Sequence, residues 1–176
     1  MSSISVARHR VRQGVAAILT RSSPRNDGLV DDWLTPNQRD VFRRMSSHDR
    51  AHSERVARRL LADGQPNREL IAAALLHDIA KAGTAALPGR IRLPDRVLRV
   101  LLGRVAPDAL HWLTSGPDRR GCRGLYLAVH HARLGAATAH TAGCSARTVW
   151  LIANHEDASN DDPQLRALVA ADDASH

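Results

Sequence analysis

Aromatic side chains are nearly missing from this chain: three tryptophans, one tyrosine and one phenylalanine in 176 residues. Alternating β-branched runs are missing too, so sheet surfaces have little to build on. What remains is rich in Ala and Leu and predicts an all-α fold, a single-domain helical bundle. Only two cysteines occur, Cys122 and Cys144, and they form no CxxC pair. That excludes a disulfide framework or a zinc ribbon and fits a reducing, cytoplasmic setting. No apolar run is long enough to span a bilayer, and the short apolar piece at 15–19 has no cleavage-like site behind it. No membrane partner is expected. Lysine occurs once, at Lys81, and every other strong base is arginine. The net charge of +7 points to an anionic partner. Because the arginines are spread rather than blocked, nucleic acid is possible but not favoured.

This length suits one domain with a short extension. Residues 1–33 read as that extension. Residues 4–20 suit a basic amphipathic helix with Val11, Val15, Ile18 and Leu19 on one side, more suited to packing on a domain edge than to a membrane. Residues 21–32 are Ser-, Pro-, Asn-, Asp- and Gly-rich and read as a linker. The domain proper is 34–176. Thr35, Pro36 and Gln38 open a helix as cap, first-turn proline and capping-box residue. A helix over 47–62 comes next, with His52, Val56 and Leu60 on one stripe.

The centre of the chain is LIAAALLHDIAKAG, residues 70–83, predicted to be a buried helix with Pro66 in its first turn and Gly83 at its end. Into this apolar run the sequence sets His77 and Asp78 side by side. An unpartnered buried carboxylate costs several kcal/mol, so Asp78 needs a cation, a donor network or a metal. Two short helices over 94–104 and 107–114 are predicted next, then an Arg-bearing loop and a small-residue helical stretch ending near Gly143. Ser145 caps a helix whose stripe is Thr148, Leu151, Ile152 and His155. Asp162-Pro163 starts the last helix, where Asp172 shares the stripe of Leu165 and Leu168.

The inward-facing polar candidates are therefore His52, His77, Asp78, His131, His155 and Asp172, from five helices. Four imidazoles and two carboxylates form a mixed N/O donor set suited to Fe, Mn, Co, Ni or Zn and less to Ca, and the divalent cofactor expected is one of these or Mg. Six ligands exceed one tetrahedral zinc and suit two ions bridged by a carboxylate. His130 and His140 are alternates to His131. No Ser/His/Asp or Cys/His nucleophile set is evident around Ser53 or Cys122, and no Walker-type or GxGxxG loop is present.

The order His52, His77-Asp78, Asp172 resembles the H…HD…D pattern of the HD-domain metal-dependent phosphohydrolase superfamily, over about 34–175. The phrases AHSERVARRL, AALLHDIAKAG, HARLGAA and LVAADDAS carry the likeness. HARLGA and LIANHED are similar to the two extra histidine motifs of the dinuclear members, which gives those roles to His131 and His155. The resemblance implies that Asp78 bridges one or two divalent ions and that Lys81 contacts a substrate phosphate. Ile79-Ala80-Lys81 stands where Ile-Gly-Lys is commoner, and no GYP motif comes after His155. Among relatives, the helix order is similar to bacterial HD-type hydrolases that cleave dinucleoside tetraphosphates symmetrically.

The resemblance therefore implies a metal-dependent phosphoric ester hydrolase acting on a small phosphorylated substrate, a nucleotide foremost. Asp78 and Lys81 are its catalytic candidates. Arg90, Arg92, Arg119, Arg120 and Arg123, from two loops, are candidates to grip phosphate. The alternatives are a non-catalytic HD-like signalling module that binds a nucleotide or partner protein, and an RNA-binding role driven by charge.

Overall fold

Helix starts follow side chains that satisfy the first free backbone N–H groups. The Oγ of Ser46 accepts from the Asp49 N–H at 3.1 Å, and Asn67 Oδ1 accepts from Glu69 and Leu70, both at 3.0 Å. Ser145 and Asp162 act alike ahead of Thr148 and of Gln164 and Leu165. Gln38 reaches back to accept from the Thr35 N–H at 3.0 Å, as the capping-box spacing predicts. The computed structural model describes residues 27–117 and 121–175. Among them lie nine helices and no strand: α1 (Asp27–Trp33), α2 (Pro36–Arg43), α3 (Ser47–Ala62), α4 (Arg68–Leu76), α5 (Leu93–Val105), α6 (Pro107–Leu113), α7 (Arg123–Thr141), α8 (Ala146–Asn154) and α9 (Pro163–Asp173). None is long and apolar enough to cross a membrane.

Helix α4 is the axis. Leu70, Ile71, Ala72, Ala73, Ala74, Leu75 and Leu76 are all buried, so no face of its apolar run meets water. It packs against α1, α3, α8 and α9. Val56 and Leu60 of α3, Leu151 and Ile152 of α8, and Leu165 and Leu168 of α9 close the core around it. Each fully buried Leu or Ile contributes about 1.5–3 kcal/mol relative to an exposed one. Helix α7 packs against α8 and also against α5.

Three expectations are corrected. The central helix stops at Leu76, not near Gly83, and Asn67 rather than Pro66 sits at its start. Past Leu76 the winding tightens to i→i+3 bonds, Ile79 N–H to Leu76 C=O, Lys81 N–H to Asp78 C=O and Gly83 N–H to Ala80 C=O. The stretch read as a linker is helical from Asp27, because Leu29, Val30 and Trp33 pack on the core. The basic helix expected over 4–20 lies outside the described residues. Helix α7 runs unbroken through Gly135, in keeping with a small-residue helix that continues there, and a Cβ at that position would lie in ordinary contact range of Ile152, Ile79 and the His77 carbonyl.

Gly83 ends the tight turns with φ +84 and pairs with Pro88 across an isolated bridge. A Cβ there would sit 2.7 Å from both the N and O of Gly89 and 2.8 Å from the Leu87 O, all backbone atoms. The same loop sends the Ile91 N–H back to the Lys81 carbonyl at 3.1 Å. Gly83→Ala combines a disfavoured φ with a backbone clash, and is expected to cost about 2–3 kcal/mol. Thermal unfolding should show it as a fall in Tm of roughly 4–12 °C.

Candidate metal centre

All six predicted donors meet at one place. Helix α3 brings His52, the turn after α4 brings His77 and Asp78, α7 brings His131, the C-terminal end of α8 brings His155, and α9 brings Asp172. They form two groups, His52 with His77 and Asp172, and Asp78 with His131 and His155. Within each group the donor atoms lie within 4.8 Å of one another. The rings stand edge to face in a row: His52 to His77 at 5.4 Å, His77 to His155 at 5.1 Å and His155 to His131 at 5.3 Å between centroids.

The Asp78 carboxylate stands between the groups, 1% exposed. Its Oδ2 lies 3.4 Å from His77 Nε2 and 2.5 Å from Lys81 Nζ. Its Oδ1 faces the other way, 3.9 Å from His155 Nε2 and 4.0 Å from His131 Nε2. The i→i+3 winding explains the Lys81 contact, since residues three apart eclipse in a three-residue turn. In the first group, Asp172 Oδ1 lies 2.7 Å from His52 Nε2 and 3.5 Å from His77 Nε2.

Three of the rings are held alike from behind. The Nδ1 of His77 meets the Ala74 carbonyl at 2.8 Å, that of His131 meets Ala128 at 3.2 Å, and that of His155 meets Ile152 at 2.8 Å. Each carbonyl can only accept, so each Nδ1 carries the proton and Nε2 is turned inward. Fixing the far nitrogen of an imidazole in this way is how metal-binding histidines are oriented.

Charges in the cluster follow from its burial. Burial disfavours the His77 cation, but the Asp78 and Asp172 carboxylates outweigh it and raise the imidazole to about 10. Burial would raise Asp78, yet His77 and Lys81 hold its carboxyl well below the usual carboxylate range. Asp172 is likewise held low, against its burial, by His52 and His77. His155 goes the other way, to about 4, through burial and the His77 charge. His131 is lowered chiefly by burial. The result is two carboxylates, an imidazole between them that favours its cation, and two neutral imidazoles aimed at Asp78; an ion held by His77 would have to displace its Nε2 proton.

These residues fit a metal. The separations of 3.9 and 4.0 Å from Asp78 Oδ1 are too long for hydrogen bonds. Two donors each about 2.1 Å from one ion span such a gap. His77 Nε2 and Asp78 Oδ1 are buried polar atoms with no hydrogen-bond partner among the described residues. Such atoms are rare in folded proteins and call for an ion or water. Both lie where a cation would be coordinated.

The centre opens on a cleft of about 390 Å³, whose lining includes Lys81, Arg96, Arg99, His131, His155 and Glu156. Of the arginines expected to grip phosphate, none that is described lines this cleft. Arg90 and Arg92 are exposed and do not line the cleft, and Arg123 reaches instead toward the Pro88 carbonyl at 3.3 Å. Arg119 and Arg120 lie outside the described residues. Among the described residues the cleft arginines are Arg96 and Arg99, which the sequence did not single out. It also missed Glu156, whose Oε1 is 3.9 Å from His131 Nε2 and 2.7 Å from an Arg99 nitrogen. Of the alternates, His130 is turned away to the Thr114 carbonyl at 3.0 Å and to the Tyr126 ring, and His140 is exposed.

Among its described residues the chain is thus all-helical, with a buried His/Asp cluster able to hold metal, an arrangement compatible with an HD-type fold. No protein-family model matches it, and no significant match is found among curated proteins or solved structures.

Proposed function

We propose that this protein is a metal-dependent phosphohydrolase of the HD type, acting on a small phosphoester. The observation that carries the reading is the buried Asp78 carboxylate, with one oxygen turned toward each His-rich group, beside His131, His155 and Lys81, which line a cleft that also holds Arg96, Arg99, Glu156, Asp172 and Asp173. His52, His77 and Asp172 would hold one divalent ion, His131 and His155 a second, and Asp78 would bridge them. Bound there, such ions supply Lewis acidity toward a phosphoryl oxygen and bring a water's pKa toward neutrality.

The chain's own groups do the rest. The backbone carbonyls of Ala74, Ala128 and Ile152 keep three imidazoles in register, so no ring has to reorient during turnover. Lys81 Nζ, at the cleft floor, neutralises Asp78 and stands ready for a phosphate oxygen. Arg96 and Arg99 present guanidinium groups from the α5 wall, and Glu156 holds Arg99 in place. The basic side chains among the described cleft residues, Lys81, Arg96 and Arg99, suit a phosphate group.

Metal analysis and then a phosphomonoester and phosphodiester panel with Mn, Fe, Co, Ni, Zn and Mg test the reading. Metal-dependent turnover on any phosphoester supports it. Arg99→Ala should then raise KM roughly ten- to a hundredfold with little change in kcat, as for one lost charge-assisted hydrogen bond. The rival reading, a non-catalytic module binding a nucleotide or partner, draws on the 2.5 Å Lys81–Asp78 pair, which neutralises the central carboxylate without a metal. Metal-loaded protein inert across the whole panel would decide for it.

A further inference from the structure

Helix α5 contributes no buried residue to the fold, although aliphatic side chains dominate its sequence. Leu93, Val97, Val100, Leu101 and Val105 recur at steps of three and four and are 53–74% exposed. Scattered apolar residues at a surface need no explanation, but a continuous aliphatic stripe does. The surroundings of the stripe are basic. Residues 90–113 contain Arg90, Arg92, Arg96, Arg99 and Arg104 against only Asp95 and Asp108. Asp95 is engaged with the Arg92 backbone N–H at 2.8 Å, and Arg99 with Glu156. Among the described residues no carboxylate pairs with Arg90, Arg92, Arg96 or Arg104, and all four are exposed.

We propose that this face of α5 docks on an anionic lipid bilayer, with the aliphatic stripe in the headgroup–acyl boundary and the arginines at the level of the lipid phosphates. Charge complementarity selects that occupant. A second copy would bring the same unpaired arginines against one another. Residues 1–26 contain Arg8, Arg10, Arg12, Arg21 and Arg25 and no Asp or Glu, so as a cover for α5 they would add like charge. An amphipathic helix that lies in the interface needs an apolar face and a basic border, not the length of a spanning helix. Absence of a spanning segment, which led to the expectation of no membrane partner, therefore does not bear on it. Arg96 and Val100 belong both to this face and to the cleft wall, so docking would bring the cleft mouth near the headgroups. Docking of this kind does not depend on metal binding or hydrolysis.

Co-sedimentation of the full-length protein with vesicles tests it, using phosphatidylcholine alone and phosphatidylcholine mixed with phosphatidylglycerol. Binding is expected on the anionic vesicles only and should weaken as salt is raised. The triple variant Val97→Glu, Leu101→Glu, Val105→Glu should lower apparent affinity at least about tenfold with unchanged far-ultraviolet circular dichroism. Arg96→Gln with Arg104→Gln should weaken binding while leaving the stripe whole, and so serves if the triple variant misfolds. No binding to anionic vesicles, or equal binding to neutral ones, overturns the proposal. Undiminished binding of both variants would place the contact elsewhere on the chain and overturn it too. So would a lipid-free dimer that the triple variant converts to monomer, since the stripe would then be a subunit interface.

Discussion

Asp78→Asn is expected to empty the centre of metal and to lower metal-dependent phosphoester turnover by roughly three orders of magnitude. The size follows from the geometry. Asp78 is the one residue with an oxygen toward each histidine group, so its loss removes a donor from both. Several kcal/mol of transition-state stabilisation by metal corresponds to about a thousandfold in rate. The amide keeps the volume of the carboxyl, so packing around 1% exposed Asp78 need not collapse. Metal content by mass spectrometry, turnover and far-ultraviolet circular dichroism together check the result. His52→Ala provides the contrast, since His52 belongs only to the group with His77 and Asp172. It should cost one ion and spare the other. If Asp78→Asn keeps its metal and its rate, Asp78 does not sit between two ions and the proposed mechanism fails.

How much of this could be read in the chain depends on how local each signal is. Caps act within four residues, and Ser145 and Asp162 stand at the expected helix starts, where their side chains accept backbone N–H groups, while Ser46 and Asn67, caps of the same kind, were not singled out. Stripes act within a helix, so the i+4 steps from His52 to Val56 to Leu60 placed His52 on the buried side of α3. The six donors were legible for the same reason. The α5 wall was not. Its periodicity marks an apolar face, and that mark is the same for a face turned to the core and one turned to water. What sets its orientation is the docking of α5 on α7, where Asp95 approaches Gly124 so closely that a Cβ there would collide with its carboxylate. Nothing within either helix announces that pairing, and so Arg96 and Arg99 were passed over in favour of loop arginines. Glu156 lies two residues past the end of α8 at Asn154, and no stripe singled it out. The tightened turns after Leu76 were hidden by an apolar run that suits a helix equally well.

Metal should also decide much of the protein's thermal stability. The core around α4 is complete without an ion, so the chelated protein is expected to be folded. Its centre nevertheless keeps His77 Nε2 and Asp78 Oδ1 buried without hydrogen-bond partners, each an unfavourable feature of about 1–3 kcal/mol. An ion that binds the folded chain alone stabilises it by RT ln(1 + [L]/Kd), about 4 kcal/mol at a thousand times Kd. For a chain of this size each kcal/mol moves Tm by about 2–4 °C, so chelated protein supplied with its metal should gain roughly 8–16 °C. Differential scanning calorimetry with and without chelator, across the same metals as the activity panel, measures it. The metal giving the largest shift should also support turnover, because the same donors serve both. Asp78→Asn should flatten the response while leaving a cooperative transition. A chelated protein with the same Tm in every metal would mean that the orphaned nitrogen and oxygen are satisfied by something other than an ion, and the six inward donors would then be a buried polar network rather than a metal centre.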